Sequence, residues 1–130
     1  MRAHRELASY CNDVGLYMEQ KSIFEMILNK EIESEIIYED DEIFAINDIN
    51  PVAPVHVLVI PKKKIKTINE ITHDDAMLIG KLVLTGKKLA KDLNIDKSGY
   101  RLLWNTNDDA MQTVFHIHLH LIGGTRLKAI

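Results

Sequence analysis

The sequence has few of the residues that cross-link small proteins or interrupt their secondary structure. Its 130 positions include one cysteine, Cys11, three prolines and six glycines, and aromatic residues make up only 6%. A single cysteine excludes an intramolecular disulfide and a cluster of thiolate metal ligands. No apolar run approaches the length of a membrane span, and the first residues lack the apolar stretch of a secretory signal. We therefore expect an intracellular protein, cytoplasmic with a nuclear location also open, that acts away from membranes.

An excess of charge of either sign is also missing. Lysine and arginine number 16 against 19 acidic residues, which gives a net charge of −3. This balance does not favour binding to nucleic acid or to an anionic membrane. The local basic run Lys62-Lys63-Lys64-Ile65-Lys66 fits a solvated connection after a strand. Length and an ordinary hydrophobic fraction of 46% predict one domain with a single core.

Hydrophobic periodicity predicts an α+β domain with a five-stranded antiparallel sheet, one long helix and one or two short ones. The long helix should open at Thr72 and run to about Leu93. A short helix over about residues 22–30 should begin with a capping box, in which Ser22 is the N-cap and Glu25 the reciprocal partner. Residues 1–20 are predicted to form a helical extension ahead of a domain spanning 21–130. The predicted strands lie at about 36–38, 42–46, 55–61, 100–105 and 115–122.

What the sequence does contain is a concentration of histidine near its C-terminus. Three of the six histidines are His116, His118 and His120. On a strand these alternate side chains share one face. The opposite face would carry Ile117, Leu119 and Leu121.

A row of imidazoles has three interpretations: a polar face that happens to be rich in histidine, a metal site, or catalysis on an anion. A metal site would need a carboxylate or thiolate motif nearby, and the sequence shows none. Imidazole is largely neutral at pH 7, so one ring nitrogen can attack an electrophile while its neighbours donate hydrogen bonds. Catalysis is therefore favoured.

Other polar residues gain meaning from their position relative to the fifth strand. His56, alone in an apolar strand, is either a core histidine bonded to the backbone or a group that orients the triplet. Asp48, in a loop flanked by prolines, is either a turn former or an acceptor for ribose hydroxyls. Gln112 and Thr113 directly precede the fifth strand and Asn105 ends the fourth, so each can contact an anion at this edge of the sheet.

Several separated motifs occur in a fixed order over about residues 22–124. They are Asp48-Ile-Asn-Pro-Val-Ala-Pro-Val-His56, Gly99-Tyr-Arg-Leu-Leu-Trp-Asn105, His116-Ile-His118-Leu-His120 and Gly123-Gly124. Together they resemble the histidine triad superfamily and, within it, the Hint branch of purine nucleoside phosphoramidases. The dinucleoside polyphosphate hydrolase branch shares the triad and stays an alternative, as does a nucleotide-binding interaction module.

The resemblance implies a homodimeric nucleotidyl hydrolase without a metal or other cofactor, acting on a purine nucleotide of the AMP or GMP type. It implies that His118 attacks the α-phosphorus, that His116 orients it through a hydrogen-bond chain including His56, and that His120 holds a phosphate oxygen. The dimer interface would include the long helix and the strand at Tyr100–Asn105. The implied nucleotide contacts are Asp48 for the ribose, Asn105, Gln112 and the hydroxyl of Thr113 around the phosphate and leaving group, and Phe24, Ile27, Ile49 and Leu58 for the base.

Some positions depart from the pattern of the family. Ala110 and Met111 replace a common glycine pair, and we expect Met111 to contact the nucleotide and reshape the phosphate edge. Ser22 and Glu25 occupy positions that are cysteines in zinc-binding relatives, so we expect no structural zinc. The short C-terminus lacks a tryptophan found in some relatives, which leaves the leaving-group preference open.

Overall fold

Two α-helices and five strands lie within the part of the chain that the structure describes. The computed structural model describes residues 21–130, and the helix predicted within residues 1–20 lies outside this range. No helix within the described part is both long and apolar enough to cross a membrane. Three short 3₁₀ turns cover Ile68–Glu70, His73–Asp75 and Asp108–Ala110. The main elements are α1 (Ile23–Leu28), β1 (Ile36–Glu39), β2 (Ile43–Asn47), β3 (Val55–Pro61), α2 (Ala76–Asp92), β4 (Tyr100–Leu103) and β5 (Leu119–Gly123).

The strands form one antiparallel sheet in the order β1-β2-β3-β5-β4. This confirms the predicted α+β class with a five-stranded sheet, one long helix and a short one. Alternate residues of β3 and β5 face opposite sides because a strand has a side-chain period of two. Val57, Val59, Leu119 and Leu121 belong to the core cluster that includes Leu82 and Leu89 of α2.

The other face of the sheet is covered by α1. Leu58 and Ile60 of β3 pack there with Phe24 and Ile27. His56 alternates in step with Leu58 along β3, and His120 is the residue of β5 that pairs with Leu58. Both histidines therefore lie on the face of the sheet that α1 covers.

The fifth strand begins at Leu119, so the expected start at Phe115 is wrong. Pairing with β3 stops at Val59–Leu119, and β3 itself ends at Pro61, which has no N–H for a further ladder bond. The preceding segment instead docks on the connection after β3 through single hydrogen bonds, among them Ile117 N–H to the carbonyl of Ile65 at 2.8 Å. His116 and His118 are consequently presented by an extended loop, and only His120 by the strand.

The N-terminus of α1 has the predicted capping box. The Ser22 hydroxyl accepts from Glu25 N–H at 3.0 Å, and Glu25 Oε1 accepts from Ser22 N–H at 2.9 Å. The helix is shorter than expected, ending at Leu28, and Lys30 takes a left-handed φ of 63°. A helix of six residues is stabilised by packing rather than by its own propensity, so its four buried side chains hold it on the sheet.

Candidate active site

The three histidines of the triplet and His56 form a buried row of imidazoles. Each is at most 5% exposed. The ring centroids of His118 and His120 lie 5.0 Å apart, and those of His120 and His56 lie 5.2 Å apart. Phe24 of α1 packs edge-on against His118 at 5.0 Å and against His116 at 5.7 Å. Sequence spacing predicted the triplet on one side of the chain, and the fold adds His56 to it.

The hydrogen bond of His118 to the main chain determines which of its ring nitrogens can react. Nδ1 of His118 lies 2.9 Å from the carbonyl oxygen of His116. A carbonyl only accepts, so Nδ1 carries the proton. In the neutral ring Nε2 then has the lone pair, which is the state that a nucleophilic histidine needs.

His56 orients a different histidine from the one expected. Val52 N–H donates to Nδ1 of His56 at 3.1 Å, so the proton of this ring is on Nε2. Nε2 in turn lies 2.9 Å from Nδ1 of His120, which therefore accepts and leaves N–H on its own Nε2. The side-chain nitrogen Nδ2 of Asn105 lies 3.4 Å from that Nε2, beyond the usual range of an N–H hydrogen bond, so this contact does not decide the tautomer of His120. The chain through His56 thus gives His120 an outward N–H donor suited to a phosphate oxygen.

His116 acts on His118 through its main chain. Its Nε2 donates to the carbonyl of Pro61 at 2.7 Å, and its Nδ1 lies 2.5 Å from the Ser22 hydroxyl. Both ring nitrogens are thereby occupied, so His116 orients His118 without His56, whereas the resemblance implied a hydrogen-bond chain that includes His56. Burial lowers the pKa of His116 below its ordinary value, so its ring is neutral at pH 7.

Asp48, His56 and His120 are the kind of cluster that can bind a metal ion. They each place one ligand atom within 4.8 Å of the others. However, the nitrogen of His56 that faces the other two is Nε2, 3.5 Å from Asp48 Oδ2. The Val52 N–H on Nδ1 leaves the proton on this nitrogen, whereas a metal ligand needs its lone pair. The arrangement therefore favours a proton network.

The loop before the triplet is held by Gln112. Its side-chain oxygen accepts from Asn107 N–H at 2.9 Å, and its amide nitrogen donates to the carbonyls of Lys66 and Val114 at 2.8 and 3.1 Å. Both amide hydrogens are thus committed to the main chain, so they are not directed at a phosphate as the resemblance implied. Thr113, next in the chain, is half-buried, and its contact with the leaving group stays a prediction.

Met111 lies at the exposed edge of this loop. Its side chain is 62% exposed, and its backbone is left-handed with φ 62° and ψ 36°. A left-handed position favours glycine over any residue that has a side chain. Met111 is therefore a strained residue whose side chain projects from the loop that leads to the triplet.

The residues expected around a base and ribose are divided between core and surface. Phe24, Ile27 and Leu58 are buried in the cluster between α1 and the sheet, whereas Ile49 is 59% exposed after β2. Asp48 is buried, and its Oδ1 accepts from Asn50 N–H at 2.9 Å in an Asx turn. Its Oδ2 has no hydrogen-bond partner among the described residues.

Three groups that assign the protons of this row were not singled out from the sequence as parts of the site. They are the Ser22 hydroxyl, the Pro61 carbonyl and the Val52 N–H. Two are main-chain groups, which no residue pattern marks. Ser22 did carry a signal, but the capping box accounted for it fully.

The site therefore combines a buried row of imidazoles on an α+β sheet with one ring, that of His118, whose lone pair on Nε2 is able to act as a nucleophile. The HIT domain family matches residues 29–127, and the chain belongs to this family. It is 41% identical over 110 residues to the purine nucleoside phosphoramidase of Escherichia coli K12, covering 85% of this chain and 92% of that protein. A HIT-like protein of Buchnera aphidicola is 46% identical over 110 residues, covering 85% and 98%.

Solved structures agree with this assignment. The structure of a HIT family hydrolase from Legionella pneumophila Philadelphia 1 superposes with a TM-score of 0.81 at 42% identity, covering 83% of this chain and 96% of that chain. A HIT family hydrolase from Clostridium thermocellum gives a TM-score of 0.78 at 44% identity, covering 85% and 96%.

Proposed function

We propose that the protein hydrolyses purine nucleoside phosphoramidates, releasing AMP or GMP and an amine through a nucleotidyl-histidine intermediate. The observation that carries the proposal is the hydrogen bond from Nδ1 of His118 to the His116 carbonyl. It leaves the lone pair on Nε2 of a neutral imidazole. The similarity to the E. coli phosphoramidase supports the choice of substrate.

In the first step Nε2 of His118 attacks the α-phosphorus, and the bond from phosphorus to the amine nitrogen breaks. The amine leaves with the electron pair and takes up a proton, which makes amines suitable leaving groups. The ring of His118, now bonded at Nε2 to phosphorus and at Nδ1 to hydrogen, becomes positive. The His116 carbonyl, 2.9 Å from Nδ1, stabilises that charge.

In the second step water attacks phosphorus, and the bond to His118 breaks. The nucleoside monophosphate takes the hydroxyl, a proton is released, and His118 returns to its neutral state. In both steps negative charge builds on the phosphate oxygens, and the Nε2–H of His120 donates to one of them. The hydrogen bond between His56 Nε2 and His120 Nδ1 supports this role.

Asp48 is the proposed partner of the ribose. Its Oδ2 is a buried carboxylate oxygen that lacks a donor among the described residues. A buried acceptor without a donor is unfavourable, and a ribose hydroxyl would supply one. Asp48 Oδ2 lies 3.5 Å from His56 Nε2, which supports a diol contact beside the imidazole row.

The test is rapid quench of the protein mixed with a radiolabelled adenosine 5′-phosphoramidate. We expect labelled protein within a single turnover in the wild type and none in His118→Gln. His73→Gln is the matched control, because His73 is an exposed histidine at the start of the long helix, and it should be labelled normally. Activity without a covalent species, abolished by EDTA, would contradict the proposal and restore a metal mechanism.

A comparison of substrates separates the branches of the family. The phosphoramidate should turn over faster than diadenosine polyphosphate. Faster cleavage of the polyphosphate would assign the protein to the alternative branch. Tight AMP binding without turnover of either substrate would indicate an interaction module.

We also propose the homodimer implied by the resemblance. β4 is an edge strand of the sheet, and α2 exposes large apolar side chains, with Met77 77% and Leu84 61% exposed. Exposed apolar surface of this kind is typical of protein interfaces. Sedimentation equilibrium should give twice the mass of the chain, and a monomer at micromolar concentration would contradict the proposal.

A further inference from the structure

The N-terminus of α1 is joined to the imidazole row by one buried hydrogen bond. The Ser22 hydroxyl oxygen lies 2.5 Å from Nδ1 of His116. Ser22 is 5% exposed and His116 is 1% exposed. The two residues are 94 positions apart in the sequence, so the contact exists only in the fold.

The direction of this bond follows from the other partners of each group. Ser22 Oγ already accepts from Glu25 N–H at 3.0 Å, and its own hydrogen can therefore donate to His116. Nε2 of His116 must carry a proton because it faces the Pro61 carbonyl at 2.7 Å. Burial keeps the ring neutral by lowering its pKa, so Nδ1 is the acceptor. The hydroxyl of Ser22 thus selects the Nε2–H tautomer of His116.

Fixing this ring also fixes the group that orients His118. The His116 side chain is held at one nitrogen by the start of α1 and at the other by the end of β3. The next peptide is held by Ile117 N–H on the Ile65 carbonyl at 2.8 Å. The carbonyl of that same peptide, that of His116, receives Nδ1–H of His118 at 2.9 Å. Ser22 is therefore linked to the proposed nucleophile, His118, through a single intervening residue, His116.

We propose that Ser22 is a positioning residue for the nucleophile: its hydroxyl holds His116 in one tautomer and orientation, and His116 in turn holds Nδ1–H of His118. As the N-cap of α1, the Ser22 hydroxyl accepts a hydrogen bond from Glu25 N–H. In the proposed second role the same hydroxyl donates a hydrogen bond to His116 Nδ1. The inference rests on the proposed function in so far as His118 is the nucleophile.

The decisive variant is Ser22→Gly. Glycine is among the residues preferred at an N-cap, so α1 should remain while the hydroxyl donor is removed. Ser22→Thr retains a hydroxyl and is the rescue variant. Thr67→Gly is the matched control, because Thr67 is also a buried N-cap, of the Ile68–Glu70 turn, whose hydroxyl accepts from Asn69 N–H at 3.1 Å.

The first readout is the rate of adduct formation in a single turnover. We expect Ser22→Gly to slow labelling of His118 about tenfold, as expected for loss of a hydrogen bond of about 1–1.5 kcal/mol. The Kd for AMP should stay within about twofold, since Ser22 acts through His116 and not on the nucleotide. Ser22→Thr and Thr67→Gly should label at the wild-type rate. An unchanged rate in Ser22→Gly, or an equal loss in Thr67→Gly, would overturn the inference.

The second readout does not depend on activity. Nitrogen-15 NMR of the histidine rings should show His116 as the Nε2–H tautomer in the wild type and in Ser22→Thr. In Ser22→Gly it should show proton exchange between the two nitrogens, together with a shifted Nδ1–H signal of His118. If the wild type forms no adduct, the proposed function fails, while these spectra still decide the role of Ser22. Unchanged spectra in Ser22→Gly would refute it.

Discussion

Replacing Met111 by glycine should stabilise the protein, although the change removes a large apolar side chain. Met111 has φ 62° and follows the 3₁₀ turn Asp108–Ala110, with its N–H on the carbonyl of Asp108 at 3.0 Å. The neighbouring Gln112 fixes the loop through three hydrogen bonds. The backbone is therefore not free to move Met111 out of the left-handed region, and the strain persists in the folded state.

The size of the effect is a difference between two backbone terms. A left-handed conformation costs a residue other than glycine about 1–2 kcal/mol. Glycine offsets about 0.5–1 kcal/mol of this gain, because its unfolded chain has more freedom. Burial contributes little, since 62% of the side chain is exposed. We expect a net stabilisation of about 0.5–1 kcal/mol, or a rise in Tm of about 2–5 °C for a domain of this size.

Thermal and urea unfolding of Met111→Gly will measure this gain. Lys30→Gly is the matched control, because Lys30 is also exposed and has φ 63°. Both variants should be stabilised to a similar extent. Only Met111→Gly should also change the kcat/KM for substrates with bulky amine leaving groups relative to that for substrates with small ones. The reason is that Met111, unlike Lys30, lies in the loop that leads to His116. A loss of stability in Met111→Gly would mean that its side-chain contacts outweigh the strain, and the reasoning would be refuted.

The fold was readable from the sequence because its sheet is buried on both faces. In β3, Val57 and Val59 face α2 while Leu58 and Ile60 face α1. A strand with two buried faces is a continuous apolar run, which the sequence shows before Pro61. The pattern could therefore place the strand, and the capping box could place the start of α1.

The start of β5 was misread for a specific reason. Alternation of His116, Ile117 and His118 reports which side of the chain each residue faces, and Ile117 does join the core on the α2 side. It does not report whether a partner strand is present. Once β3 has ended, the same extended chain makes only isolated bonds to the connection at residues 61–66.

The protons of the site could not be assigned from residue types. Which nitrogen of His118 is nucleophilic depends on the carbonyl of His116, and which nitrogen of His120 donates depends on Val52 N–H through His56. These partners are set by backbone geometry. The sequence could thus identify the imidazoles but not the order of their hydrogen bonds. The resemblance implied a chain that joins His56 with His116, whereas in the structure His56 bonds to His120.

Two further predictions test the packing at the end of β5 and the charge state of His116. A Cβ on Gly123 would lie 2.9 Å from Ile95 Cδ1 and 3.2 Å from the Gly99 carbonyl oxygen, so Gly123→Ala should destabilise by about 1–3 kcal/mol in urea unfolding. The control Gly80→Ala, in an open part of α2, should stabilise by about 0.5–1 kcal/mol, and an equal effect of both would contradict the packing argument. For His116, burial lowers the pKa of the folded state below the ordinary 6.5, so below that pH the unfolded chain binds a proton that the folded protein does not. Its contribution to stability is therefore complete above about pH 6.5 and declines as the pH falls toward the folded pKa. Urea unfolding between pH 8 and 5 should show this decline in the wild type and in His73→Gln, and a smaller decline in His116→Gln. An equal slope in all three would mean that the ring of His116 takes up its proton in the folded state as readily as in the unfolded one, and the inference that this ring is neutral at pH 7 would be refuted.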